Sequence, residues 1–257
     1  LYAEYRKIKN NDFDFVIVAT PGHSVVWLAH LLFGRRIIFD AFVSLYNSNI
    51  EDRRKYNKFS FHSLYYGFLD WFSCGLSDIV LLDTDSHINY FVKRYRIAKR
   101  KFITHYVGSN DSIVYPIKKE EEDVKFIVHF HGTNIPLQGI PIILQAAKIL
   151  EQNKEVEFHI YGCVGQDKGN VKFFPRFAYS NISKILSRAD IVLGIFGNTI
   201  KSKNVIPNKV FEGIAAGKPV ITARTLAIRE LFTDRVHMLL CENGNPADLA
   251  DKIEVLV

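Results

Sequence analysis

One segment near the carboxyl end, from Pro207 to Val220, combines the start of a helix with two charged side chains. A loop that ends at Pro207 is expected to turn into a helix, whose first backbone N–H groups lack partners within the helix and can hold a phosphate. Lys209 adds a positive charge in the first turn, and Glu212 one turn later could accept hydrogen bonds from two ribose hydroxyls. A capped helix with a surface lysine and glutamate explains the same residues.

Two histidines, His129 and His131, stand at the end of a predicted strand. Alternate residues on a strand share a face, so the pair could begin a metal site. No third or fourth ligand is close in sequence, and we therefore expect no metal at this pair. The three cysteines are far apart and form no CxxC pair, which argues against a disulfide framework or zinc ribbon and favours a reducing compartment.

Short apolar runs alternate with helical patterns along the chain, which is typical of a parallel sheet covered by helices. The second half predicts six or so strands in strict alternation, a complete doubly wound domain, and a final helix that Asn245 caps. The first half predicts about four strands, with a long helix from about Arg53 to Gly75, and matches only the back part of such a domain.

The composition changes after Pro116, where the charged stretch KKEEED at 118–123 contains no apolar residue. We predict that this stretch separates two domains. The predicted divisions are a partial N-terminal domain over 1–117, a charged linker over 118–124 and a C-terminal domain over 125–257.

Composition excludes several classes of protein. The chain has 257 residues, 48% of them hydrophobic and 23% charged, which rules out disorder. No apolar run approaches the roughly 18 residues that a membrane span needs, and no secretory signal is recognisable. The net charge of +6 is mild, and no DNA- or RNA-reading motif accompanies it, so we expect no nucleic-acid partner.

Taken together, the motifs resemble the donor domain of family 4 glycosyltransferases of the GT-B type. The resemblance rests on Gly132 to Gly139 after a strand, Tyr161-Gly162, Ala189-Asp190 and, most strongly, Pro207 to Val220. The first half looks like the acceptor domain of such enzymes through PGH at 21–23, DAFVSLYNS at 40–48 and VGSNDSIVYP at 107–116. The resemblance implies a GT-B-like α/β fold, two Rossmann-like domains facing a cleft, with the N-terminal domain incomplete and the chain truncated at both ends.

The family has a Glu-x(7)-Glu motif, and Glu212 fits its second glutamate, which binds the nucleotide ribose. Asn204 stands in place of the first, which touches the donor sugar. This substitution puts the choice of donor, or activity itself, in question.

Two further departures concern the donor diphosphate, which the family binds with an arginine and a lysine. Thr133 and Gln138 occupy those places here. We expect Lys209 to supply the missing charge from the helix start, with Lys201 and Lys203 as other candidates.

The resemblance extends to further residues. Asp40, at the end of a strand, could orient a sugar hydroxyl or merely cap its loop, and Phe177 lies where the family contacts the base or is a core aromatic. The predicted catalytic residues are Asp40, Asn204 and Lys209. The predicted nucleotide-sugar-binding residues are Gly132, Thr133, Gln138, Gly162, Phe177, Asn208, Lys209, Val210 and Glu212.

The implied function is retaining transfer of a sugar from a nucleoside diphosphate sugar to a glycan or lipid-linked acceptor, in cell-surface polysaccharide or glycoconjugate synthesis, without metal or cofactor. Two alternatives stay open. One is a non-catalytic nucleotide-sugar-binding module or subunit of a split transferase, and the other is a nucleotide-sugar epimerase of the same fold.

Residues 53–72 concentrate cations at their start and aromatic side chains after them. This combination suits an anionic membrane surface, although a core helix with a basic first turn would also explain it. We expect a cytoplasmic protein that binds peripherally to the inner face of the cell membrane.

Overall fold

The computed structural model describes residues 6, 13–34, 36–119 and 125–257, and it divides into two compact units, Leu1–Tyr106 and Val107–Val257. Each unit is a parallel sheet with connecting helices, and each has its own apolar core. The α/β class with Rossmann-like units is confirmed. Among the described residues, no helix is long and apolar enough to cross a membrane.

The sheet of the first unit has four described strands that lie side by side in chain order. The strands are β1 (Val16–Val18), β2 (Ile37–Phe42), β3 (Ile79–Leu82) and β4 (Phe102–Thr104), and the helices are α1 (Val26–Phe33), α2 (Phe61–Leu76) and α3 (Asp85–Tyr95). Strand β2 has the two-residue alternation that is typical of a strand. Its residues Ile37, Phe39 and Ala41 are fully buried and alternate with half-buried residues such as Asp40.

The long helix predicted from Arg53 to Gly75 is shorter in the structure. A π-helical turn covers Asn47–Asp52, and residues 53–60 form bends and turns before α2 begins at Phe61. The Ser60 side chain accepts a hydrogen bond from the Ser63 amide at 3.3 Å, which caps the helix at that point.

The second unit has six strands in the order β10-β9-β8-β5-β6-β7, all parallel. The strands are β5 (Phe126–His131), β6 (Val156–Tyr161), β7 (Val171–Phe174), β8 (Ile191–Leu193), β9 (Val220–Ala223) and β10 (Leu239–Cys241). The helices are α4 (Ile140–Ile149), α5 (Ile182–Ser187), α6 (Ile200–Asn204), α7 (Asn208–Ala215), α8 (Ile228–Leu231) and α9 (Pro246–Glu254). The predicted Asn245 cap of α9 is confirmed, because its side-chain oxygen accepts hydrogen bonds from two amides of the first turn.

The chain of this unit begins at β5, builds outward to β7, and then returns to the other side of β5 with β8. Open α/β sheets bind ligands at such a switch point, beyond the carboxyl ends of the strands. Strand β5 pairs with β6 as far as His131 with Tyr161, but it pairs with β8 only through Val128 and His129. Among the described strands, the last residues of β5 therefore have a partner on the β6 side alone.

The chain around the start of the predicted linker packs on the second unit. The amide of Tyr115 donates to the Ser183 hydroxyl at 2.8 Å, and Lys119 forms an ion pair with Asp190 at 2.7 Å. The boundary between the units falls at 106/107, ahead of the boundary predicted after residue 117. Most of the predicted linker, residues 120–124, lies outside the described residues, so the linker stays a prediction.

Candidate functional site

The candidate site lies in the second unit, where the chain leaves the carboxyl end of β5. Gly132 follows the strand, and its amide donates to the Tyr161 carbonyl of β6 at 3.0 Å. The loop continues through a 3₁₀ turn at Pro136–Gln138 to Gly139, which has a φ of 72°. A Cβ atom on Gly139 would lie 2.5 Å from the Gly197 nitrogen, so only glycine allows this close approach of the two backbones.

Lys209 of helix α7 reaches the same loop. It is only 5% exposed, and its ammonium group donates a hydrogen bond to the side-chain oxygen of Gln138. Its Nζ lies 3.8 Å from the centroid of the Phe130 ring, and a Cβ on Gly132 would lie 3.0 Å from it. The structure therefore brings together Gly132, Gln138 and Lys209, three of the residues predicted to bind the donor.

The surroundings of Lys209 lower the pKa of its ammonium group. Burial lowers the pKa of the Lys209 ammonium to about 7, an effect that Cys163 and the Glu212 carboxylate partly oppose. An anionic ligand beside Nζ would favour the charged form and raise this pKa again. The charge of the buried Lys209 side chain therefore depends on whether an anion is present.

Glu212, one turn further along α7, is 5% exposed and is held by two partners. Nε2 of His131 lies 2.9 Å from its Oε2 atom. The Tyr179 hydroxyl also bonds to this carboxylate, and burial together with the negative charge raises the pKa of Tyr179 to about 12. A carboxylate held in this way can accept hydrogen bonds from hydroxyls of a ligand.

The Phe177 ring packs beside the His131 side chain. The half-buried Phe177 ring stands edge-on to His131, with centroids 6.0 Å apart, and edge-on to Tyr161 at 5.5 Å. Gly162 adopts a φ of 76°, and a Cβ there would lie 2.6 Å from the Gly132 carbonyl oxygen. Phe177 and Gly162 therefore lie close to the residues that surround Lys209 and Glu212.

The histidine pair of β5 has a role that the sequence interpretation missed. Nε2 of His129 lies 2.9 Å from Nδ1 of His131, which in turn contacts Glu212. Within the described part of the chain, no group of three or more His, Cys, Asp or Glu residues could hold a metal ion. The HxH spacing indicated a shared strand face, but nothing in it indicated a carboxylate 81 positions away.

The structure gives the positions of four other predicted residues of this unit, and their roles stay predictions. Thr133 is half-buried in the loop after β5, Asn204 is half-buried at the end of α6, and Asn208 is exposed at the first position of α7. Val210 is fully buried, and its amide donates to the Pro207 carbonyl at 3.0 Å.

Asp40 belongs to the first unit, where it is half-buried in β2 beside a register shift in the pairing with β3. The loop that follows this strand is held by a buried carboxylate, Asp70, which accepts hydrogen bonds from the Ser44 hydroxyl at 2.6 Å and the Tyr46 amide at 3.0 Å. The Tyr95 hydroxyl also donates to Asp70 at 2.9 Å. The sequence analysis missed this cluster, and the catalytic role of Asp40 stays a prediction.

In chemical terms, the second unit presents a buried cation and a fixed carboxylate one helical turn apart, at the switch point of a doubly wound sheet. The cation suits a phosphate group, and the carboxylate suits vicinal hydroxyls. A nucleoside diphosphate carries both groups.

Known proteins resemble this chain in sequence and in structure. Residues 96–257 match the family model described as glycosyl transferases group 1. A curated relative, the "Uncharacterized glycosyltransferase MJ1178" of Methanocaldococcus jannaschii, is 25% identical over an alignment that covers 62% of this chain and 44% of the relative. The chain thus spans less than half the length of that protein.

Among solved structures, a sucrose-phosphate synthase from Thermosynechococcus elongatus is similar with a TM-score of 0.73 and 13% identity, over 99% of this chain and 67% of that one. The Anabaena protein Alr3699/HepE in complex with UDP-glucose has a TM-score of 0.70 and 15% identity, over 99% of this chain and 71% of that one. A mutant of TarM from S. aureus, bound to UDP and other ligands, has a TM-score of 0.66 and 15% identity, over 98% of this chain and 50% of that one. At these identities the likenesses establish the fold.

Proposed function

The chain belongs to the group 1 glycosyl transferases, and we propose that it takes part in transfer of a sugar from a nucleoside diphosphate sugar to a glycan or lipid-linked acceptor, with retention of configuration. We assign this reaction to the synthesis of cell-surface polysaccharide or glycoconjugates. The relation to family 4 and the retaining outcome belong to the proposal, as do the roles of the single residues.

The observation that carries the proposal is the pairing of Lys209 and Glu212 on the first two turns of α7. In our proposal, Glu212 accepts hydrogen bonds from the ribose hydroxyls of the donor, and Lys209 contacts its diphosphate. UDP-glucose bound to the structurally similar Alr3699/HepE supports a sugar nucleotide as the ligand class.

Lys209 would stabilise the leaving group. Breaking the bond between sugar and diphosphate places negative charge on the phosphate oxygens, and a cation already in position stabilises that charge without reorganisation. Because Thr133 and Gln138 carry no charge, Lys209 has to supply the positive charge that the family obtains from an arginine and a lysine. Gln138 would contribute by holding the Lys209 ammonium in the loop after β5.

The remaining chemistry is positioning. We propose that the acceptor hydroxyl attacks the anomeric carbon from the face that the diphosphate leaves, and that its proton passes to a departing phosphate oxygen, so that configuration is retained. The enzyme then acts by orientation and by leaving-group stabilisation. No metal or cofactor is needed in this scheme. Asn204, which can both donate and accept hydrogen bonds, is proposed to contact the donor sugar, and Asp40 to orient a sugar hydroxyl.

A thermal-shift panel with UDP, GDP, ADP and CDP, each with and without a common sugar, tests donor binding. One nucleotide should raise Tm in the wild type and fail to do so in Glu212→Ala, because ligands that bind only the folded state stabilise it. Glu254→Ala, which removes an exposed carboxylate from α9, is the matched control and should respond as the wild type does. Equal responses of wild type and Glu212→Ala would contradict the ribose role.

Turnover distinguishes the alternatives. Incubation of the stabilising sugar nucleotide with glycan and lipid-linked acceptors should release the nucleoside diphosphate and form a product whose anomeric configuration, read by NMR, equals that of the donor. Free epimerised sugar nucleotide without acceptor would favour the epimerase. Binding without turnover would favour the non-catalytic module.

Membrane contact through residues 53–72 is the second part of the proposal, and we place the protein on the cytoplasmic face of the membrane. Helix α2 has its apolar side outward: Phe61, Leu64 and Phe68 are 77%, 71% and 51% exposed. The side that packs inward is largely polar, with Ser63, Asp70, Ser73 and Cys74 buried.

The charges of this segment favour an anionic lipid surface. Four exposed cations precede the helix, namely Arg53, Arg54, Lys55 and Lys58, and Asp70, the only acidic residue between positions 53 and 77, is buried. Each cation near an anionic membrane is worth about 1 kcal/mol, and exposed aromatic rings suit the headgroup region.

Vesicle flotation tests this contact. The protein should float with phosphatidylglycerol vesicles at low salt, and replacement of the four cations by Gln should reduce the bound fraction at least tenfold. The control replaces three exposed lysines of the second unit, Lys168, Lys184 and Lys203, by Gln and should float as the wild type does. Binding that depends neither on anionic lipid nor on salt would contradict the proposal.

A further inference from the structure

A chain of hydrogen bonds runs from the interior of the second unit to Glu212. It starts at His129, whose side chain is almost completely buried in β5 and packs against Tyr161 with ring centroids 5.1 Å apart. His129 contacts His131 two residues later on the same face of the strand, and His131 contacts the carboxylate. Both hydrogen bonds measure 2.9 Å between heavy atoms.

The Glu212 carboxylate determines which nitrogen of each histidine carries a proton. An ionised carboxylate only accepts hydrogen bonds, so Nε2 of His131 must carry the proton that it shares with Glu212. In a neutral His131 imidazole, Nδ1 is then an acceptor, and it accepts a hydrogen bond from the N–H at Nε2 of His129. The hydrogen-bond network therefore assigns one tautomer to each ring.

Burial favours the neutral form of both rings. It lowers the pKa of His129 and of His131, and the Lys209 charge lowers both further, while for His131 the hydrogen bond to Glu212 opposes the shift. His131 and His159 add to the effect on His129. A protonated His131 would turn a second N–H toward the Nε2–H of His129, so this arrangement of protons requires a neutral His131.

We propose that His131 is a positioning residue: it fixes the plane of the Glu212 carboxylate for the two vicinal hydroxyls of a ribose, and His129 fixes His131 in turn. The inference rests on the proposed role of Glu212 in donor binding. A free glutamate side chain must lose rotational freedom when it binds a diol, and a carboxylate that is already held loses less. The hydrogen bonds of His129 and His131 thus hold the Glu212 carboxylate in place before the nucleotide binds.

Two nearly isosteric variants test the inference. A glutamine amide nitrogen can take the place of Nε2 of histidine, whereas an asparagine amide reaches only as far as Nδ1. His131→Gln should therefore keep the donor to Glu212 and bind the nucleoside diphosphate within about threefold of the wild type. His131→Asn should lose it and bind about tenfold more weakly, the upper end of the usual cost of ordering a free side chain on binding.

The readout that separates positioning from general damage is discrimination between ribose and dideoxyribose. The nucleoside diphosphate that stabilises the wild type and its 2′,3′-dideoxy analogue are titrated into wild type, both His131 variants and Glu212→Gln. His131→Asn should weaken binding of the ribonucleotide and leave that of the dideoxy analogue nearly unchanged. A structural defect would weaken both equally, and that result would overturn the inference.

The same titration distinguishes failure of the inference from failure of the proposed function. If Glu212→Gln loses discrimination and His131→Asn retains it, Glu212 binds ribose without help from His131, and the inference alone is wrong. If the wild type itself does not discriminate, the ribose role of Glu212 fails, and the positioning role of His131 fails with it.

Discussion

The ammonium group of Lys209 donates a hydrogen bond to the side-chain oxygen of Gln138, although the two residues are 71 positions apart. Gln138 stands where the resemblance to family 4 leads one to expect a lysine, so that a neutral side chain holds the cation that reaches this loop from α7. This relationship suggests how the site works with fewer charges, and it makes both residues open to direct test.

Gln138→Glu should block the phosphate site. The new carboxylate would pair with Lys209 and repel the diphosphate, so the dissociation constant of the nucleoside diphosphate should rise at least tenfold, measured by calorimetry. Gln138→Asn, which adds no charge, is the control and should have a smaller effect. Equal effects of the two variants would show that charge at this position does not matter.

Lys209→Met should weaken diphosphates selectively. A charge-assisted hydrogen bond contributes about 1.5–3 kcal/mol, which corresponds to a loss of roughly 10- to 100-fold in affinity for the nucleoside diphosphate. The nucleoside itself should bind nearly as before. Lys184→Met, at an exposed position of α5, is the matched control. Equal losses for nucleoside and diphosphate would remove Lys209 from the phosphate site.

The same Lys209→Met variant should be more stable than the wild type when no ligand is bound. The pKa of Lys209 is about 7 in the folded protein and has an ordinary value of 10.5, so between these two pH values the unfolded chain binds more protons than the folded one. The free energy of unfolding of the wild type should therefore rise with pH in that window relative to the variant.

Urea denaturation at pH 7, 8 and 9 measures this difference. The stability advantage of Lys209→Met should be largest at pH 7 and shrink toward pH 9, because the unfolded wild type, whose lysine keeps its proton, becomes less favourable as the pH rises. At pH 7 a gain of 1 kcal/mol would appear as a rise of roughly 2–4 °C in Tm. An advantage that stays constant with pH would mean that Lys209 does not titrate in this range.

Nucleotide binding should take up a proton at pH 8. Lys209 is mainly neutral there in the unbound protein, because its pKa is about 7, and a diphosphate beside it favours the charged form. Calorimetric titration in buffers of different ionisation enthalpy should report an uptake that approaches one proton per nucleotide. Lys209→Met should show none. Uptake that persists in this variant would assign the proton to another group.

Gly162→Ala should destabilise the second unit by about 1–3 kcal/mol, the usual cost of a strained backbone conformation. The residue has a φ of 76°, and its new Cβ would lie 2.6 Å from the Gly132 carbonyl oxygen. Gly75→Ala in α2 is the control, since its Cβ would meet no atom within 4 Å, and it should be neutral or slightly stabilising. Thermal unfolding measures both, and an unaffected Gly162→Ala would contradict the close contact.

Much of the architecture was predictable from local patterns. The alternation of apolar runs and helical periods predicted the parallel sheets, and the cap at Asn245 was readable because capping depends on residues next to each other in the chain. The start of α2 was predicted too early, at Arg53, because the basic segment has helical composition while the cap that sets the start is Ser60.

The outward apolar side of α2 was harder to read from the sequence. Periodicity shows that a helix has an apolar side, but tertiary packing decides which side is buried. Asp70 illustrates the point: it is buried because the hydroxyls and amides that satisfy it come from residues 24 to 26 positions away in the chain.

The sequence by itself determined the fold class, the family resemblance and the importance of the segment from Pro207 to Val220, because each of these depends on neighbouring residues. Only the tertiary structure decided that Lys209 meets Gln138 and that His131 meets Glu212. Both contacts join the carboxyl end of β5 to helix α7, across the switch point of the sheet. Parallel strands are connected by long crossovers, so the residues that share an edge are distant in sequence, and their meeting depends on strand order and register.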